Sequence, residues 1–305
     1  MRRRAFLRTG LSAVGILGLG GLPLSAIGRS EVLKLTILHT NDVHSRIDPF
    51  PTDGGPYAGQ GGILARESMI RKIRTEEQRL LLLDAGDVFQ GTPYFNLFGG
   101  EIELKAMAAL GYDAATLGNH DFDGGLKGLV KVLPHANFPF LNVNYSFDNT
   151  PLEGRIKPYK IFDLDGLRVG VFGVGIELEG LVPPRLYGDV QYQDPVQPAN
   201  ATARWLRYEE DCDFVICLSH LGYKSWSDQI KDPHFAAASE EIDLILGGHS
   251  HTFMEKPDIV RNTKGHPVII NQVGWGGLVL GRLDFYFEKR RSGTPKMEAT
   301  YDWVS

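Results

Sequence analysis

The sequence predicts an α/β protein: two packed mixed sheets with helices on their outer sides, folded as one domain. Two patterns lead there. In the first half, short apolar runs alternate with amphipathic helical stretches; beyond residue 246, strand patterns follow one another directly. A chain of 305 residues, 43% hydrophobic and 23% charged, has globular composition, and it carries no repeat, low-complexity tract or linker that would divide it.

Each element follows from local pattern. Residues 33–38 alternate apolar and polar and read as the first strand, running into His39-Thr40-Asn41-Asp42-Val43-His44. A Pro- and Gly-rich loop covers 49–62. Helical spacing of Ile63, Met69, Ile70 and Ile73 predicts a helix over 63–77. The four leucines at 80–83 form a continuous apolar run, as in a strand buried on both faces, and end in Asp84-Ala85-Gly86-Asp87. A helix over 101–110 stops at Gly111. A strand over 114–117 leads into Gly118-Asn119-His120-Asp121-Phe122-Asp123, and a helix-like segment over 124–133 follows. Residues 138–143 read as a short strand. The runs 159–164 and 167–174 flank Asp165-Gly166, a hairpin signal. Asp194 before Pro195 starts a helix that should reach about residue 210. Strands at 214–218 and 242–246 end in Ser219-His220 and in Gly247-Gly248-His249-Ser250-His251; three more strands are expected at 267–272, 278–288 and 298–304.

Composition excludes some functions. The formal net charge is −5 and no basic stripe occurs beyond the first residues, so binding to a nucleic acid backbone is not favoured. The two cysteines, Cys212 and Cys217, flank one predicted strand. If extended, their Cα atoms lie roughly 16 Å apart, too far for a disulfide, so both are expected as small core residues.

The N-terminus is basic, Met1-Arg2-Arg3-Arg4-Ala5-Phe6-Leu7-Arg8, and an apolar, glycine-rich run follows over 11–26, too short to make a convincing membrane span. Arg3-Arg4-x-Phe6-Leu7-Arg8 resembles a twin-arginine export signal, and Ala26-Ile27-Gly28 offers small residues for a peptidase. Residues 1–28 are therefore expected to be a cleaved signal and 29–305 the folded domain. That implies a periplasmic or extracellular protein with no stable membrane insertion after cleavage. The alternative is an uncleaved N-terminal anchor.

The polar loops after the apolar runs share one chemistry. Asp42 and His44 follow the first run, Asp87 the second, Asn119 and His120 the third, His220 another, and His249 and His251 the last. In α/β sheets, chemistry gathers at the carboxyl ends of strands. Leaving His120 aside, these seven make a set of O and N ligands for two divalent cations; imidazole, carboxylate and amide oxygen suit Mn, Zn or Fe, and thiolates are absent from the set. Asp-x-His and His-x-His should place both side chains on one side of an extended loop. Gly86, Gly91, Gly118, Gly247 and Gly248 let the backbone turn tightly beside the ions. Any one such residue is more often a turn or a hydrogen-bonded surface group, and His39, His135, His234 and His266 are assigned to that class. Five separate strand ends carrying metal-type residues together point to a site.

In this order, Thr40-Asn41-Asp42-Val43-His44, Gly86-Asp87-Val88-Phe89-Gln90-Gly91, Gly118-Asn119-His120-Asp121-Phe122-Asp123, Ser219-His220-Leu221-Gly222 and Gly247-Gly248-His249-Ser250-His251 resemble the calcineurin-like metallophosphatase superfamily, and within it the 5′-nucleotidase branch. The resemblance covers nearly all of 29–305. It implies a four-layer α/β/β/α sandwich with two metal ions between the sheets. One ion would be held by Asp42, His44, Asp87 and His251, the other by Asp87, Asn119, His220 and His249, with Asp87 bridging. His120 would be the catalytic imidazole and Asp123 its partner carboxylate, with Asp121 the second choice. Two such cations lower the pKa of a shared water and neutralise phosphate oxygens, while His120 assists the leaving oxygen.

The sequence departs from the branch in one respect. Most of its members carry a second, C-terminal domain whose aromatic clamp and arginines hold the nucleoside, and no counterpart is expected before Ser305. The nucleotide specificity therefore does not carry over, and no substrate-binding residue is assigned. A separate chain could supply that domain, the enzyme could be a loose phosphoesterase, or the loops could form their own pocket. Tyr57, Phe89, Tyr94, Tyr223, Trp226 and Trp275 are candidate stacking residues for such a pocket, ordinary packing being the competing role of each. The expectation is an exported dinuclear-metal phosphoesterase acting on a small phosphorylated substrate, a nucleotide above all. Two alternatives stand beside it: a thiosulfohydrolase-like enzyme of sulfur oxidation, and a non-catalytic metal-binding subunit of a split nucleotidase.

Overall fold

The computed structural model describes residues 32–224, 229–288 and 296–304. The expected export signal lies outside the described residues, and so does Trp226. The strands are β1 (Val32–Thr40), β2 (Leu80–Asp84), β3 (Ala114–Thr116), β4 (Phe140–Leu141), β5 (Tyr145–Ser146), β6 (Tyr159–Asp163), β7 (Arg168–Gly175), β8 (Gln191–Tyr192), β9 (Phe214–His220), β10 (Leu244–Gly247), β11 (Asp258–Arg261), β12 (Pro267–Asn271), β13 (Val279–Glu288) and β14 (Lys296–Trp303). The helices are α1 (Ile63–Glu76), α2 (Pro93–Phe98), α3 (Glu101–Leu110), α4 (Gly125–Val132), α5 (Pro184–Tyr187), α6 (Val196–Tyr208) and α7 (Asp232–Ala238).

Two six-stranded mixed sheets form, in the orders β14-β13-β1-β2-β3-β4 and β11-β12-β10-β9-β7-β6. In the first, β1 to β4 run parallel and β13 and β14 add antiparallel at one edge. In the second, β7, β9, β10 and β12 run parallel between antiparallel edges. The period of two along each strand builds the layers. Leu35 and Ile37 of β1, Leu81 and Leu83 of β2, and Phe214, Ile216 and Leu218 of β9 all enter the core between the sheets. Their neighbours face outward: Leu38 and Leu82 pack under α1, α3 and α4, and Val215 and Cys217 pack under α6 and α7. The result is the expected four-layer α/β/β/α sandwich.

Helix positions follow the apolar spacing. α1 buries Ile70 and Ile73, α3 buries Leu104, Met107 and Leu110 and stops at Gly111, whose φ of 73° is left-handed. α6 buries Ala199, Ala203 and Leu206. Cys212 and Cys217 are buried and free. Several elements differ from expectation. The strand expected over 138–143 shortens to β4, because its flanks turn away to pair elsewhere: Val143 N–H donates to Gly173. α2, α7 and β11 gave no signal, being too short for a periodic pattern to show. His39, expected at the surface, is fully buried in β1, with Nε2 2.8 Å from Asn271 Oδ1.

Candidate metal centre

The site sits where the parallel strands of both sheets end. β1, β2, β3, β9 and β10 deliver their carboxyl-terminal loops to one place, so residues more than two hundred positions apart meet. Asp42 N–H donates to Gly86 O at 2.9 Å and His44 N–H to Asp87 O at 3.1 Å, which lays the first loop along the second. Asn41 fastens this loop to the far end of the chain. Its Nδ2 donates to Gly274 O at 2.7 Å and to Asp42 Oδ2 at 2.6 Å, and its Oδ1 accepts from Val273 N–H at 2.9 Å. His249 N–H donates to both Asp42 oxygens at 3.0 Å, joining the two sheets.

The ligand loops are not extended as expected. Asp42, His44, Asp87, His249 and His251 have φ of 50°, 50°, 58°, 69° and 50°, so five of the seven candidate ligands hold left-handed backbone. That conformation costs about 1–3 kcal/mol per non-glycine residue and persists where surrounding structure enforces it, typically at functional sites. It lets Asp42 and His44 turn back toward a common point. The loops also approach closely: a Cβ on Gly86 would lie 2.6 Å from Gly118 N, and one on Gly118 would overlap the Asp87 carboxylate.

Two ligand groups result. Asp42, His44 and His251 form one, and Asp87, His220 and His249 the other, with the ligand atoms of each within 4.8 Å of one another. Hydrogen bonds assign the imidazole tautomers. Carbonyl oxygens only accept, so His44 Nδ1 donates to Phe89 O and Gln90 O, each at 3.2 Å, and its Nε2 carries a lone pair that faces His251 Nε2 at 3.0 Å. Likewise His220 Nδ1 donates to Ala85 O at 2.7 Å. Its Nε2 is buried without a hydrogen-bond partner among the described residues, although Asp87 Oδ2 is 3.1 Å away. Asp87 Oδ2 also lies 3.9 Å from His44 Nε2, so one carboxylate reaches both groups. Asn119 Oδ1 stands 2.9 Å from His249 Nδ1, and Asp42 Oδ1 stands 3.4 Å from His251 Nε2.

Imidazole nitrogens, carboxylate oxygens and an amide oxygen converge within hydrogen-bond distance of one another, and a donor set of this chemistry fits two divalent ions. The proton equilibria agree. Burial lowers the affinity of His44 and His249 for a proton, to about 4 for His249, where His220 adds to the effect. Burial also opposes a charge on His220, but Asp87 overrides it and pushes His220 up to about 10. Burial would raise the Asp87 carboxyl, yet His220, His44 and His120 hold it below the usual carboxylate range. A proton on His220 therefore stands where a cation would, and cation binding must release it.

His120 stands apart from both groups. Its Nδ1 donates to Asp123 Oδ2 at 2.8 Å, and its ring packs edge-on to His44 at 5.3 Å. The Asp123 bond raises its pKa above the ordinary histidine value, against the effect of burial. Asp121 points elsewhere. Its Oδ1 accepts from Val88 N–H (3.0 Å) and Phe89 N–H (3.2 Å), and its Oδ2 from Gly118 N–H (2.8 Å) and Asp87 N–H (3.1 Å). It ties the second loop to the third and has no oxygen left for His120. A cavity of about 360 Å³ opens beside the first group and His120, lined by His44, Arg46, His120, His251 and Trp275 among others.

Residues 35–253 match the calcineurin-like phosphoesterase family. The chain belongs to that family. It is 35% identical over 278 residues to a snake venom 5′-nucleotidase from Gloydius brevicauda, covering 84% of this chain and 46% of the relative. A solved 5′-nucleotidase precursor from Thermus thermophilus superposes with a TM-score of 0.79 at 30% identity, covering 89% of this chain and 55% of that one. A sulfate thiohydrolase from the same organism shares the fold, with a TM-score of 0.74 at 19% identity over 88% of this chain and 56% of that one. The chain thus spans about half the length of these relatives.

Within this calcineurin-like domain the seven candidate ligands converge as their order along the chain suggested, and His120 meets Asp123. The stacking candidates separate. Trp275 lines the cavity and stacks on His251 at 5.8 Å with 10° between planes. Phe89 is buried, Tyr94 donates to Asp48, Tyr223 donates to Asp258, and Tyr57 packs among Phe50, Phe253 and Trp303. Sequence reasoning passed over Arg46 and the supporting role of Asn41; the only signal for either was its place in the loop beside Asp42 and His44.

Proposed function

We propose that this chain is the hydrolytic half of an exported two-metal phosphoesterase that removes phosphate from nucleotides. One observation carries the reading: two candidate ligand groups, both within reach of Asp87, lie beside a His120–Asp123 pair, and His44, His120 and His251 line one cavity. The 5′-nucleotidase relatives support the substrate class. Asp42, His44 and His251 would hold one cation; Asn119, His220 and His249 the other; Asp87 would touch both. Once bound, the cations would neutralise phosphate oxygens and make a water more acidic.

The chain's own residues do the rest. Asp123 keeps the Nδ1 proton in place and favours the protonated imidazole, so that His120 Nε2–H can donate to the leaving oxygen. Asp121 holds the backbone of Asp87 and Gly118, and with it the approach of Asp87 to the Asn119 loop. The test is phosphate release from AMP and from an aryl phosphodiester by the Mn-loaded domain. AMP turnover that depends on His120 supports the reading. Activity on the aryl ester alone places nucleotide selection in another chain, which should co-purify and restore AMP turnover when added. Absence of hydrolysis together with absence of metal in protein from the native host would refute the reading and favour a binding subunit.

A further inference from the structure

Arg46 sits two residues beyond His44 and lines the same cavity as His44, His120, His251 and Trp275. A turn places it there, with Arg46 N–H donating to Val43 O at 3.1 Å. Its guanidinium carbon lies 4.1 Å from the centroid of the Phe50 ring. Phe50 in turn meets Trp275 edge-on at 5.4 Å, and Trp275 stacks on His251. The cation is therefore held by a packed aromatic series that ends on a metal-type ligand. No side-chain hydrogen bond or ion pair engages it among the described residues, and its Nε is buried without a partner. The exposed Asp48 carboxylate favours the charged guanidinium from nearby without an ion pair to it among the described residues, and its Oδ2 accepts from the Tyr94 hydroxyl at 2.7 Å. A half-buried guanidinium whose Nε–H has no partner is costly unless something completes it, and its planar fork suits phosphate oxygens.

We propose that Arg46 is a specificity-determining residue that receives oxygens of the substrate's phosphoryl group and selects dianionic phosphomonoesters over monoanionic phosphodiesters. The proposal rests on the phosphoesterase reading and names the substrate class for that site. Charge supplies the selectivity. A fixed cation interacts about twice as strongly with a dianion as with a monoanion at the same distance, so its removal squares the fold-loss: roughly threefold on a diester becomes roughly tenfold on a monoester.

The test uses Arg46→Met, which keeps a stem against Phe50, and Arg46→Lys, which keeps the charge. Metal content and thermal unfolding of both variants are measured beside the wild type. Two quantities are then read at pH 8: kcat/KM for an aryl phosphomonoester against an aryl phosphodiester, and the affinity of the Mn-loaded protein for inorganic phosphate by calorimetry. Arg46→Met should lose roughly 10–100-fold on the monoester, no more than about the square root of that on the diester, and at least about tenfold in phosphate affinity. Arg46→Lys should recover part of each loss. Equal losses on the two esters with unchanged phosphate affinity would overturn the proposal and leave Arg46 as packing for Phe50. If the wild type cleaves neither ester, the phosphoesterase reading fails, and the phosphate affinities still decide the role of Arg46. Should Arg46→Met not fold, the same two quantities in Arg46→Gln decide, because unchanged values without the charge contradict a charge-based selection.

Discussion

The two carboxylates that flank Phe122 should respond in opposite ways to the same change. Asp121→Asn alters one atom of a side chain that is 1% exposed and accepts four backbone N–H groups. Whichever oxygen becomes the amide nitrogen, two of those donors lose their acceptor and face another donor. A buried donor left unpaired costs about 1–3 kcal/mol, so the variant should lose roughly 2–6 kcal/mol. Burial, with Asp87 beside it, pushes the Asp121 carboxyl up to about 7, while the Gly118 N–H pulls it down. Four converging donors and no acceptor suit the ionised form. Asp123→Asn is different. Its side chain is partly exposed and bonds only His120, so stability should change by less than about 1 kcal/mol. Turnover should fall on the order of 10²-fold, because the imidazole loses the partner that favours its proton. The assay is urea unfolding of both chelator-treated variants, with turnover of the Mn-loaded proteins measured in parallel. A loss below about 1 kcal/mol for Asp121→Asn, or an unfolding penalty for Asp123→Asn as large as that for Asp121→Asn, would refute the division of roles.

Three further outcomes follow from the same geometry. His120→Asn should keep two metals by elemental analysis and lose roughly 10²–10⁴-fold in turnover; near-wild-type turnover would remove His120 from the reaction. Asp87→Asn should lose affinity for at least one metal, because its carboxylate reaches both ligand groups, and full two-metal occupancy would contradict a shared ligand. Burial lowers the pKa of His39 to about 4, despite its bond to Asn271. Between about 6.5 and 4 the unfolded chain then binds a proton that the folded chain does not, so stability should fall as pH drops through that window, by roughly 3 kcal/mol at most. Unfolding of wild type and His39→Gln from pH 7 to 4.5 should give a shallower dependence for the variant; parallel curves would refute the assignment.

Much of the fold was legible because it rests on local periodicity. The four leucines of β2 announced a strand with two buried faces, and the structure divides them between the inter-sheet core and the helical layer. The spacing in α1 predicted the burial of Ile70 and Ile73, and Gly111 marked the end of α3. What escaped were elements too short to repeat, such as α2 and α7, and residues whose environment is set by the opposite sheet, such as His39. At the site, the order of Asp, Asn and His after five strands marked the residues that converge there, because each sits at a strand's carboxyl end and only topology is needed to gather those ends.

Side-chain direction was another matter. Asp121 and Asp123 lie on the same short turn and are chemically alike in sequence. Only the approach of the Gly86–Phe89 backbone from another strand gives Asp121 three of its four donors, Gly118 of its own loop supplying the fourth, and leaves Asp123 to His120. The left-handed backbone of Asp42, His44, Asp87, His249 and His251 was equally hidden, since nothing local favours it and these residues are held by hydrogen bonds to distant loops, as His249 N–H and Gly276 N–H to Asp42. Residue type and order determined which chemistry this chain carries. Packing between distant loops decided which atom points at which, because a hydrogen bond or a ligand geometry depends on a few tenths of an ångström that only the assembled sheets can set.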